Sequence, residues 1–275
     1  MARKKQKSKA DSWSELLHRL PEVPSWNSAR SEQFTHDLRI LIKCLLALLE
    51  MIKSGCEKDS LRTFKLQLKG TADALALSRD PVVLEKTFKS IVKKFDLKRR
   101  KLMEVEFHTY FQPQHPANSN LLSQGAQRVS VVLHELQSIE LANFGALAQA
   151  GIRRTYKTAR LKYKIARERK KAKDLHCWRR WTKFLFLQMK LMFGAEFANQ
   201  GHSKKLNQLQ KCLGEHHDLS TLRKFLKQNQ KHHSKKLLQC VLQRIDQKRE
   251  LIEKRALNLG SKLFSRHRHP DDDSH

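Results

Sequence analysis

The stretch LHCWRRWTKFL, residues 175–185, decides how the chain is read. It sets His176, Arg179, Arg180 and Lys183 around two tryptophans with no acid among them. Wound as a helix at about 100° per residue, with His176 at zero, Arg179 falls at about 300°, Lys183 at about 340° and Arg180 at about 40°. Trp178, Trp181 and Leu185 fall near about 200°, 140° and 180°, on the other side. The cations form one stripe and the indoles pack behind it.

The whole chain shares this bias. Its 275 residues hold 56 Lys and Arg against 27 Asp and Glu, a formal charge of +29. The N-terminal MARKKQKSK supplies only five of those positives, so the body itself is basic. Such a body repels itself, and a polyanionic partner is the usual reason to carry that charge. Nucleic acid, inorganic polyphosphate and an anionic membrane surface all fit at this level. With 9 Gly and 6 Pro in a chain rich in Leu, Lys, Gln and Ala, an all-α fold is expected. Five cysteines without a C-x-x-C pair read as reduced thiols. No apolar signal core follows the charged N-terminus, and the most apolar run, ILIKCLLALLEMI, is too short to span a bilayer. A soluble cytoplasmic protein is expected.

Helical patterns run over 30–54, 58–78, 81–108, 120–150, 152–198, 202–213, 217–230 and 234–265. SWSELLHRL predicts a short helix before PEVP ends it. This gives a basic flexible tail and short helix over 1–29, a first half over 30–110, a linker over 111–125, a second half over 126–265 and a disordered tail over 266–275. The halves correspond. HDLRILIKCLLALL places His36, Arg39 and Lys43 at the H-x-x-R-x-x-x-K spacing of His176, Arg179 and Lys183. LSRDPVVLEKTF and LGEHHDLSTLRKFL come later in register, with His36 44 residues before Asp80 and His176 42 before Asp218. Two motifs recurring at matched spacing indicate an internal duplication. The expected architecture is two pseudo-symmetric antiparallel helical bundles forming a basic groove.

These residues resemble the CHAD family, the conserved histidine α-helical domain. The likeness is carried by the two H-x-x-R-x-x-x-K helices, the paired turns LSRDPVVL and LGEHHDLSTL, the basic helix RRTYKTARLKYKIA and the terminal KRALNLGSKLF, and it covers about residues 30–265. The resemblance implies paired helical bundles with a basic surface that binds inorganic polyphosphate. The first half departs from the family's pattern, having Cys44 and Leu46 where further cations are usual, and Arg79 stands where the second half has His217. EVEFH, 104–108, lacks the lysine and β context of the triphosphate-tunnel domain that some relatives carry.

Polyphosphate has no bases and no shape code, so recognition rests on many cations held on a rigid surface. Arginine binds phosphate oxygens through two parallel hydrogen bonds, and lysine acts as a point charge. The expected polyphosphate-binding set is His36, Arg39, Lys43, Arg79, Lys86, His176, Arg179, Arg180, Lys183, His217 and Lys224, with Arg153, Lys157, Arg160 and Lys164 from a ridge that continues to Arg167 and Lys171. Phosphate beside the histidines would raise their pKa values, so binding should strengthen on acidification. The bland alternative is that the histidines pack beneath the helices and the ridge is a solvated face. Asp80 and Asp218 read as helix N-caps, leaving free N–H groups for phosphate. The pairs at 216–217 and 232–233, with His267 and His269, lack a carboxylate or thiolate at ligand spacing, so no metal is expected. No Gly-rich loop, nucleophile elbow or acidic cluster appears, so no cofactor and no enzyme activity are expected. The alternatives are a nucleic-acid backbone binder and a scaffold coating polyphosphate granules.

Overall fold

A computed structural model describes residues 10–25, 31–111, 119–229 and 234–264. They form α1 (Trp13–His18), α2 (Ser31–Ile52), α3 (Lys58–Ala74), α4 (Ala76–Val92), α5 (Leu97–Phe107), a 3-10 turn His108–Phe111, α6 (Ser119–Gln137), α7 (Phe144–Arg169), α8 (Ala172–Asn199), α9 (Gly201–Gln228) and α10 (Lys235–Phe264). The protein is all-α, and among the described residues no helix is long and apolar enough to cross a membrane.

The apolar period of α2 places Leu38, Leu41, Leu45, Leu48 and Leu49 inside, all at 0 % exposure. Near its end the burial wraps round to Ala47 and Met51, because α3, α6, α7 and α8 all pack on this helix. Gln188 of α8 donates to the Ala47 carbonyl at 2.8 Å, satisfying part of a buried amide. Against α7 the approach is closer still. A methyl group on Gly151 would run into the Met51 carbonyl oxygen, with the carbonyl carbon 2.7 Å away. Arg154, further along α7, donates to the Glu50 and Met51 carbonyls at 3.3 Å each and so covers the open end of α2.

Helices α7, α8, α9 and α10 run antiparallel in succession. Tyr163 meets Trp178 across α7 and α8, with ring centroids 5.2 Å apart. Lys183 reaches Gln210 across α8 and α9, and Arg223 binds Asp246 through two bonds of 2.7 and 2.9 Å across α9 and α10. Helix α2 packs on α8, and α4 on α9.

Several boundaries depart from the sequence reading. The expected tail is partly core: Trp13 is buried and its indole donates to the Leu136 carbonyl at 2.9 Å. Arg19 donates to the Leu191 and Met192 carbonyls at 3.1 and 2.8 Å, just before the kink at Gly194 (φ 51°) in α8. Residues 1–9 and 265–275 lie outside the described residues. Helix α6 begins at Ser119, inside the expected linker. The 81–108 pattern breaks before Asp96, whose carboxylate caps α5 by accepting from the Arg99 N–H at 2.9 Å. The 120–150 and 152–198 patterns break where Asn143 and Lys170 take left-handed conformations at φ 51°. Conversely, 202–213 and 217–230 fall in one helix, since a glycine such as Gly214 costs only about 1 kcal/mol in a long packed helix.

Gly151→Ala should therefore force α2 and α7 apart, costing about 3 kcal/mol and lowering Tm by about 10 °C. Gly214→Ala, with nothing within 4 Å of the added methyl, should leave Tm unchanged or raise it. Thermal unfolding of both variants checks the pair, and equal Tm values would contradict the close approach.

Candidate anion-binding surface

Trp178 fixes the rotation of α8. It is 0 % exposed, and a methyl on Gly260 of α10 would lie 2.7 Å from both its ring and that of Tyr163. The opposite side of α8 therefore turns outward, with His176 and Arg180 exposed and Arg179 and Lys183 half-buried. Trp181 is half-buried, with the Arg180 guanidinium 5.8 Å above its ring.

Helix α9 brings His217 to this stripe. The Nδ1 atoms of His176 and His217 stand 3.3 Å apart and the ring centroids 4.8 Å apart. An N–H on one ring then faces a lone pair on the other, an arrangement that two imidazolium ions cannot share. The electrostatics agree. Burial, and after it Arg179, His176, His216 and Lys43, holds His217 down at about 4. Burial, then Arg179 and Arg180, lowers His176. Among the described residues the charges that shift these two rings are cationic, so both are neutral near pH 7 inside a positive field.

Lys43 of α2 thus joins the cluster, as the charge that acts on His217 from the first half. Lys183 is lowered mainly by burial, with Arg179 and Lys190 adding to it and the Cys44 thiol opposing. Its ammonium donates to Gln210 Oε1 at 3.2 Å, and Gln210 Nε2 donates to Asn207 Oδ1 at 3.0 Å. Lys43, His176, Arg179, Arg180, Lys183 and His217 are therefore brought together where α2, α8 and α9 meet. Lys190 and Gln210 escaped the sequence reading. The seven-residue step from Lys183 to Lys190 carried the signal for the first, while Gln210 has none without the α8–α9 pairing.

The other expected residues go elsewhere. Arg39 occupies the place in α2 that Arg179 occupies in α8, yet its Nη1 donates to the Ala72 carbonyl at 3.0 Å near the end of α3. His36 and Lys86 are exposed on α2 and α4, and Lys224 is exposed on α9. The side chain of Arg79 lies outside the described residues. On α7, Arg153, Lys157 and Lys164 are exposed and Arg160 is half-buried. Their line sits about 140° from the centre of the buried face. Gly151 and Arg154 turn to α2, whereas Tyr156 and Tyr163 turn to α10, and Arg160 acts on Tyr156. The ridge thus borders α10, apart from the α2–α8–α9 cluster. It ends at Arg167, because the left-handed Lys170 interrupts the helix before Lys171.

Neither expected N-cap exists. Asp80 and Pro81 lie inside α4, which starts at Ala76, and Asp218 lies inside α9, so no free helix N-terminus stands at either position. His216 takes the opposite side of α9 from its neighbour. Its Nε2 lies 3.9 Å from Glu253 Oε2, beyond hydrogen-bond reach, and burial, with a further contribution from Arg249, lowers it to about 4. Burial also raises Glu253, so the contact is between a neutral imidazole and a strained carboxylate rather than a formed ion pair.

His216 and His217 both titrate in the folded protein at about 4 against an ordinary 6.5. The unfolded chain takes up more protons between those values, so stability is complete above about pH 6.5 and declines as pH falls toward 4. H216Q should flatten that decline when Tm is measured from neutral to acidic pH. A slope equal to that of the unsubstituted protein would contradict the assignment.

No curated protein and no solved structure matches this chain. The model of the CHAD domain matches residues 13–227. The match takes in α1, which the sequence reading left outside the domain, and stops within α9, short of α10. With most of its length matched, including the α2, α8 and α9 segments that form the cation cluster, the chain belongs to the CHAD domain family.

Proposed function

We propose that this protein binds inorganic polyphosphate, without chemical change, at the junction of α2, α8 and α9. The observation that carries the proposal is the neutral His176–His217 pair among Arg179, Arg180 and Lys43, where every charge acting on the two rings is a cation. A polyanion relieves that repulsion and gives each histidine a reason to protonate. Arg179 and Arg180 supply forked donors to phosphate oxygens, and Lys183, steadied by Gln210, supplies a point charge. The contacts of α2 with α8 and of α4 with α9 support two copied halves sharing one ligand.

Aromatic placement argues against single-stranded nucleic acid. Base stacking needs rings on the basic face. Trp178 and Tyr156 are buried, and Trp181 is half-covered beneath Arg180.

R179E/K183E should weaken binding of long-chain polyphosphate by about 100-fold, on the basis of two charge-assisted contacts. K69E/K98E makes the same change in net charge at exposed positions on α3 and α5 and should weaken it far less. Equal losses in the two variants would mean that total charge binds the ligand and the cluster does not. Affinity should also rise as pH falls from 7, because a bound polyanion lifts the histidine pKa values above those of the free protein. Titration calorimetry across that range reads this directly, and a flat profile would remove the histidines from the site. Excess RNA should displace polyphosphate only at a much higher phosphate concentration than the reverse.

A further inference from the structure

Helices α4 and α10 leave a cleft of about 490 Å³ between them. Ligand-binding clefts run from about 300 to 1,000 Å³. The cleft shares no residue with the α2–α8–α9 cluster, and α10 lies beyond the residues that the CHAD model matches. Along α10 its lining includes Arg244, Lys248, Leu251 and Lys254, which follow one another at helical spacing and so share one side of the helix. Ile91 of α4 is buried and gives the cleft an apolar floor. Leu251 lines the same cleft and is 67 % exposed.

The rim is cationic. Among the described residues that line the cleft, Glu250 is the one acid, against Lys94, Arg244, Lys248 and Lys254. Lys248 binds Glu215 and Lys254 binds Glu250, each at 2.7 Å, while Lys94 and Arg244 have no ion pair among the described residues. Arg244 makes one long bond of 3.4 Å to Gln247 Oε1, which leaves its guanidinium fork open to a carboxylate. Polyphosphate has no apolar group, so it would use the rim and leave Leu251 in water. The occupant that satisfies both parts of the cleft is apolar along its middle and acidic along its edges. From Arg244 to Lys254 the wall rises about 15 Å, at about 1.5 Å per residue, which matches about three turns of a partner helix.

We infer that the α4–α10 cleft docks an acidic amphipathic helix of a partner protein. Its apolar side chains, three or four residues apart, cover Ile91 and Leu251, and its carboxylates meet Lys94, Arg244, Lys248 and Lys254. The charges steer the encounter and set the orientation, and the apolar contact distinguishes this partner from other polyanions. The docking does not depend on the polyphosphate reading.

Fluorescence anisotropy of a labelled peptide of about twelve residues, built of Glu-Glu-Leu-Leu repeats, reads the docking on the full chain at about 0.15 M salt. The same peptide with glutamine for every leucine has equal charge and should bind at least about tenfold more weakly. Equal binding of the two peptides, or none by the leucine peptide, would overturn the inference. L251Q, at an exposed position, should keep its Tm and weaken the leucine peptide about tenfold. K94E/R244E should weaken it at least as much, and R179E/K183E, with the same change in net charge, far less. An L251Q affinity equal to that of the unsubstituted protein, or equal losses in the two charge-reversal variants, would overturn the inference. So would phosphatidylserine vesicles that bind the unsubstituted protein but not L251Q while the peptide fails to bind, since the face would then meet a membrane. L251Q should leave the binding of long-chain polyphosphate unchanged. If no variant bound polyphosphate, the proposed polyphosphate-binding function would fail while the peptide result stood on its own.

Discussion

One buried indole holds the arrangement in place. Trp178 fills the space that Gly260 leaves open on α10 and lies against Tyr163 of α7, so three helices lock the rotation of α8. Its neighbours in sequence, His176, Arg179 and Arg180, are thereby turned outward on a helix that does not roll. Rigid cations lose less conformational freedom on meeting a ligand than long side chains on a loose segment. The indole N–H finds no hydrogen-bond partner among the described residues, a penalty of about 1–3 kcal/mol that the packing must outweigh.

The same rigidity keeps like charges close together. His176, His217 and Lys183 all have pKa values displaced toward the neutral form, with burial the largest cause and neighbouring cations adding to it. The α9–α10 interface is balanced differently. There Arg223 and Arg249 both bind Asp246, whose carboxyl the two arginines lower against the opposing effect of its own burial. Acids are thus placed at the contact between helices and withheld from the α8 stripe. A surface left positive in this way is what a polyanion would find on the proposed reading.

The orientation of α8 was legible because helical period alone separates Trp178 from His176 and Arg179. The all-α class came from composition for a similar reason. Helix ends were less legible where local chemistry gave no sign. Asn143 and Lys170 turn left-handed without glycine, while Asp80–Pro81 looks like a helix start and sits inside one. Arg39 and Arg179 show the deeper limit. They share one motif position, yet the end of α3 lies beside the first, and α9 brings His217 beside the second. The α7 ridge holds as a line of cations from Arg153 to Arg167, short of the expected Lys171, and its flank against α10 rather than the cluster is set by Gly151 and Tyr156, through contacts far apart in sequence.

Imidazole NMR of the full chain, titrated with and without long-chain polyphosphate, addresses the central claim most directly. In the free protein His217 should protonate near pH 4 and His176 below its ordinary value. With polyphosphate bound, both should protonate at least about one pH unit higher. Titration curves for His176 and His217 that are unchanged by saturating polyphosphate would contradict the account.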